Sequence, residues 1–141
     1  MGLFSFLKGK GKKLGAAEAA EAPAAEDLQK EVKDLGLNAE GVDIKVDGDK
    51  VVLTGAPVDQ ETKEKVIVAL GNIAGVAQVE DNTGGADPTL HTVAEGESLW
   101  KISEKYLGKG NRYMEIFEAN KPMLSDPDKI YPGQTLRIPA A

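Results

Sequence analysis

The stretch Val66 to Val79, VIVALGNIAGVAQV, holds the residues whose type and spacing could do chemistry, through the backbone rather than through side chains. Its pattern predicts an amphipathic helix that runs into Leu70, stops at Gly71-Asn72 and passes through Ile73-Ala74-Gly75 to a strand beginning near Val76. A helix leaves its last four carbonyls without intrahelical partners, and the macrodipole places partial negative charge on them. Gly71 and Gly75 are free to take positive φ, so the backbone can curl and turn several carbonyls toward one point. A ring of neutral carbonyl oxygens suits a large, weakly hydrated monovalent cation. An ordinary glycine C-cap followed by a turn accounts for the same residues without any ligand.

Side-chain chemistry is sparse by comparison. The chain has no cysteine, which excludes disulfides and thiolate metal sites, and its single histidine, His91, excludes a His-rich zinc or copper site within one chain. His91 reads as a strand residue. Asp43, Asp47 and Asp49 suggest a calcium loop, but the glycine falls too early and no closing Glu follows at the required place. The acidic pairs Glu80-Asp81 and Asp126-Asp128 sit in polar turns without a base, nucleophile or cofactor loop nearby. The expectation is a binding module, not an enzyme.

The elements that would position these residues follow from composition and periodicity. With 141 residues, 41% hydrophobic and 28% charged, the chain suits one globular domain or two very small ones. A net charge of -6 argues against non-specific nucleic-acid binding. No apolar run approaches the roughly 20 residues that span a bilayer. The opening MGLFSFLKGKGKKLG places Leu3, Phe6, Leu7 and Leu14 at approximate helical spacing beside Lys8, Lys10, Lys12 and Lys13, and is expected to form a short N-terminal helix. It lacks the order of a secretory signal, and Phe6 breaks the myristoylation pattern, so a cytoplasmic location is expected. A peripheral membrane-surface role for this basic segment is the alternative. Residues 1–25 thus read as N-terminal helix and alanine-rich linker.

Leu28, Val32 and Leu35 define a helix ended by Gly36. Val42, Ile44 and Val46 alternate with polar residues, and Asp47-Gly48 joins them to a second β-branched run, Lys50 to Thr54. Asp59 is placed to cap a helix containing Val66 and Leu70. The last strand is expected from Val76 to about Glu80. Helix, hairpin, helix and strand over residues 26–83 resemble the BON domain, whose recurring features stand as Val52-Leu53-Thr54-Gly55 and as Ile73-Ala74-Gly75-Val76-Ala77-Gln78-Val79.

A linker, residues 84–88, leads into residues 89–141. A short strand, a turn at Glu95-Gly96-Glu97, a helix from near Ser98 with Leu99, Ile102 and Tyr106 inward and Trp100 flanking, a second helix from Tyr113 to about Asn120, and a strand Thr135 to Ile138 are expected. The apolar positions of this unit read as internally complete. The order resembles a LysM domain, with the match carried by His91-Thr92-Val93, Gly96-Glu97-Ser98-Leu99-Trp100-Lys101-Ile102, Asn120, and Tyr131-Pro132-Gly133-Gln134-Thr135-Leu136-Arg137-Ile138-Pro139. By that resemblance, N-acetylglucosamine polymers (peptidoglycan) would bind in a groove lined by Gly96, Glu97, Ser98 and Leu99 on one side and Ile130, Tyr131 and Pro132 on the other. Leu99 and Tyr131 are equally accounted for as core.

The fold class is therefore α+β, a small αββαβ BON domain followed by a βααβ LysM domain. Over its full length, from MGLFSFLK to FEANKPMLSDPDKIYPGQTLRIP, the sequence is similar to the family of cytoplasmic bacterial potassium-binding proteins. That resemblance implies a monomeric ion sensor or buffer that becomes more ordered on binding K+, with Rb+ and Cs+ as substitutes. It implies backbone carbonyl ligands at Leu7, Lys10 and Lys12 and at Gly71, Ile73 and Val76.

Overall fold

The computed structural model describes residues 2–6, 25–73, 75–85, 88–121 and 123–139. The first unit comprises β1 (Gly2–Ser5), α1 (Ala25–Asp34), β2 (Val42–Asp47), β3 (Lys50–Gly55), α2 (Gln60–Gly71) and β4 (Gln78–Asp81). Its sheet has the order β1-β4-β3-β2. The β2–β3 hairpin closes through Gly48, whose φ of 64° supplies the conformation a two-residue connection needs at its first central position. Helix α2 carries the chain from β3 to β4, which lie parallel, as a crossover helix does. Leu28 and Val32 of α1 and Val66, Ile67 and Leu70 of α2 pack with Val51, Leu53 and Val79 of the strands into one core.

The N-terminal helix expected for the opening residues is replaced, where the structure describes them, by strand β1, antiparallel to β4 with Phe4 opposite Val79. Period two prevails over the approximate helical spacing because Phe4 and Phe6 both pack on the core while Leu3 and Ser5 lie exposed. The open edge of β4 also offers hydrogen bonds that a short, glycine-containing helix could not recover alone. Residues 7–14 of the expected helix lie outside the described residues. Strand β4 begins at Gln78 rather than Val76, because Val76 donates its N–H to the Ile73 carbonyl (3.1 Å) and closes a β-turn. Gly75 supplies the positive φ, 97°, at the third position of that turn.

The second unit comprises β5 (Thr89–Thr92), α3 (Leu99–Leu107), a 3-10 turn (Gly110–Arg112), α4 (Tyr113–Ala119) and β6 (Thr135–Ile138). β5 and β6 form an antiparallel pair with Thr92 opposite Thr135. Ser98 caps α3, and Gly108 ends it in the left-handed conformation. Val93, Leu99, Ile102, Ile116, Phe117, Leu136 and Ile138 form a second core. Contrary to expectation, the apolar residues of this unit do not all serve this core, since Leu90 of β5 packs against the first.

A buried ion pair pins the junction. Lys63 of α2 lies 3.0 Å from the Asp81 carboxylate at the end of β4, with side chains 2% and 1% exposed. Lys63 also donates to the Gly84 carbonyl (2.6 Å), holding the start of the linker. Burial pushes the Asp81 pKa up, but the Thr83 hydroxyl and N–H and the Lys63 ammonium outweigh it, leaving the pKa below the usual 3.8. A carboxylate depressed in the folded state contributes stability above its unfolded pKa and loses it as pH falls through the folded value. Asp81→Asn is therefore expected to destabilise the protein by about 3–5 kcal/mol at neutral pH, since it removes one charge of a buried ion pair. It should also reduce the steepness of the stability loss below pH 3.8. Urea unfolding across that range checks both.

Candidate functional site

Helix α2 is amphipathic only in its first half. Every residue from Val66 to Gly71 is buried, because one side faces the first core and the other faces the second unit. The continuous apolar run VIVALG is the sequence signal for this, a helix covered all round rather than along one stripe. The helix ends one residue later than expected. Asn72 is the C-cap, and its N–H bonds to the Leu70 and Val68 carbonyls.

Gly71 does not adopt positive φ; that role falls to Gly75 alone. Glycine stands at 71 for space, because a β-carbon there would sit inside the ring of Phe6. Phe6, itself buried, donates its N–H to the Ala77 carbonyl (2.8 Å), so the last described residue before Leu7 is held against the helix exit. Leu7, Lys10 and Lys12 lie outside the described residues. Gly71, Ile73 and Val76 are brought together around one turn, all buried.

The donor set of that turn suits a cation. Among the described residues, no hydrogen-bond donor reaches the carbonyl oxygens of Gly71 or Val76, while Ile73, whose carbonyl takes the Val76 N–H, also stands in a β-bridge. A carbonyl has two lone pairs, so Gly71 and Val76 keep acceptor capacity in a place where water has little access. No basic side chain occupies the last turn of α2, whereas α1 and α3 carry Lys33 and Lys105 there. The negative end of the helix dipole is therefore uncompensated by α2 itself. Among the described residues there is no group of three His, Cys, Asp or Glu that could hold a metal ion.

The seven residues expected to line a glycan groove take several roles in the structure. Glu97 is turned inward, accepting from Ala94 N–H (2.7 Å) and bonding the His91 ring (2.8 Å), whose other nitrogen meets the Tyr106 hydroxyl (3.0 Å). Those bonds, the Ala94 amide first, hold the Glu97 pKa below its usual value. Leu99 is core, Ile130 packs against that core, and Gly96, Ser98 and Pro132 lie on exposed turns. Tyr131 lines a cleft of about 200 Å³ facing the first unit, with Asn72, Ile73, Met123 and Gln134. Ser98 and Leu99 instead border a groove of about 310 Å³ with Trp100, Tyr113, Pro127 and Asp128. Trp100, exposed and 5.9 Å from Tyr113, is the residue there that the spacing failed to single out. Its place off the Leu99, Ile102, Tyr106 stripe was the available signal.

Two units of this topology, joined through a short linker, define a BON and LysM two-domain protein. Residues 14–83 match the BON domain family and residues 91–139 the LysM domain family. The chain is 44% identical over 147 aligned residues to a protein of Escherichia coli O6:H1 named Potassium binding protein Kbp, covering 99% of each. It therefore belongs to the family of that protein. An uncharacterized protein of Deinococcus radiodurans is 33% identical over 70% of this chain and 44% of its own length. SpoIVD-associated factor A of Bacillus subtilis is 43% identical over 36% of this chain and 12% of its own length.

The close contact at Gly71 yields a test. Gly71→Ala is expected to lower stability by about 1–3 kcal/mol through overpacking against Phe6. Combined with Phe6→Ala it should cost less than the two single changes summed, because the obstructing ring has gone. Chemical denaturation of the three variants measures both.

Proposed function

We propose that this chain binds potassium through backbone carbonyls at the exit of α2, as a cytoplasmic, monomeric sensor or buffer that becomes more ordered on binding. The observation that carries this reading is the buried turn at Gly71, Ile73 and Val76, where the Gly71 and Val76 carbonyls retain acceptor capacity among the described residues. The name of the Escherichia coli relative, similar over 99% of both chains, supports the choice of ion. Neutral oxygens do not favour hard divalent ions in the way that carboxylates do. Leu7, Lys10 and Lys12, on the segment that follows Phe6, would supply the remaining carbonyls. Their side chains would point away from the ion. No catalytic role is proposed. Residues 1–25, 26–83, 84–88 and 89–141 would serve as N-terminal segment, ion-binding domain, linker and second domain.

A second reading, glycan binding by the LysM domain, is favoured by the Trp100 and Tyr113 rings beside the groove at Ser98, since aromatic faces cover sugar rings well. Retention on insoluble peptidoglycan that is lost in Trp100→Ala would support it.

Thermal unfolding at matched ionic strength tests the ion reading. Stabilisation follows RT ln(1 + [L]/Kd), about 2.7 kcal/mol at a hundredfold excess over Kd. Potassium, rubidium and caesium should raise Tm, while sodium and lithium, costlier to dehydrate, should do so far less. Lys10→Ala should leave the difference intact, because only the backbone oxygen is used. A Tm indifferent to potassium over sodium would overturn the reading.

A further inference from the structure

One edge of β6 pairs with β5, and along the other edge two asparagine carboxamides take the place of a neighbouring strand. Asn120, from α4's own C-cap, accepts the Arg137 N–H (2.7 Å) and donates to the Arg137 carbonyl (2.8 Å). Asn72 makes the same pair of bonds to Thr135, accepting its N–H (2.8 Å) and donating to its carbonyl (2.7 Å). A carboxamide carries an acceptor and donors that match a peptide group, so each asparagine satisfies both outward groups of one strand residue. The two sites are chemically equivalent, but Asn120 belongs to the second unit and Asn72 to the first.

Asn72 is also the residue between Gly71 and Ile73. Its backbone, at φ -88° and ψ 11°, lies in the sparsely populated bridge region, and its conformation sets the direction of the peptide groups on either side. The same face is fastened a second time where Arg137 meets Glu64 of α2 at 2.6 Å, with both side chains largely buried. Gln60 donates to the other Glu64 oxygen (2.6 Å). Two residue pairs thus join α2 and its cap to β6, and one of them is made by the residue inside the proposed ion-binding turn.

We infer that Asn72 is a positioning residue for the potassium site. Its carboxamide, held by the Thr135 backbone, fixes the turn so that the Gly71 and Ile73 carbonyls face the ion, and the site is complete only while β6 is docked on α2. This rests on the potassium reading above. Linkage makes the effect reciprocal, so an ion at the turn strengthens the hold of Asn72 on Thr135.

The test uses the full chain as wild type, Asn72→Ala and Asn120→Ala, with potassium chloride titrated calorimetrically at neutral pH. Asn120→Ala removes the equivalent bond pair from the same strand edge at a residue outside the turn.

Asn72→Ala is expected to bind potassium about tenfold more weakly, within the usual range of coupling between sites, with unchanged circular dichroism, and Asn120→Ala to bind as wild type does. The Thr135 amide resonance should move on potassium addition in wild type and stay still in Asn72→Ala. Wild-type binding with an equal affinity in Asn72→Ala would overturn this inference while leaving the potassium reading intact. Equal weakening of both variants would also overturn it, as a general loosening of β6 rather than a loss of the bond pair at the turn. An absence of potassium binding in wild type would remove the reading and the inference together.

Discussion

From Val66 to Gly71 helix α2 is covered on every side, so the carbonyls at its C-terminus cannot rely on water for partners. The surrounding chain divides the task. Asn72 returns its N–H to Leu70 and Val68, Val76 returns its N–H to Ile73, and Phe6 closes over Gly71. What remains is a small set of buried neutral acceptors at the negative end of a helix dipole. Such a place is costly to leave empty of positive charge or donors, and that cost is the physical basis for reading it as an ion site.

The same burial explains why the two units meet where they do. A helix that is apolar all round in its second half needs a second layer, and β6 with Arg137 and Thr135 provides it. Buried polar groups at this contact are paired: Glu64 with Arg137 and Gln60, Asn72 with Thr135. Lys63 and Asp81 do the same at the linker. Charged pairs taken out of water add little net stability, but breaking one partner is expensive. Their effect here is to specify one docking geometry.

What the sequence made legible was local. The β2–β3 hairpin, the Asp59 cap, the start of α3 near Ser98 and the α3 stripe each follow from residues a few positions apart, and the turn at Ile73 to Val76 is visible through Gly75. Relations across the chain were not legible. β1 pairs with a strand whose partner positions run from Gln78 to Asp81, and nothing near Phe4 announces that edge, so an approximate helical spacing took precedence. Gly71 reads from its neighbours as a conformational glycine because its true reason, the Phe6 ring, lies far away in sequence. Asn72 and Thr135 stand 63 positions apart, and Glu64 and Arg137 stand 73 apart; no periodicity links them.

The central claim is that backbone oxygens of the α2 exit hold the ion, and carbonyl carbon-13 chemical shifts report on those atoms directly. In protein labelled at carbonyl carbon and titrated with potassium against a sodium control, the resonances of Gly71, Ile73 and Val76 should move with potassium and not with sodium. Carbonyl resonances that stay fixed at all three residues while carboxylate carbons move would contradict the account.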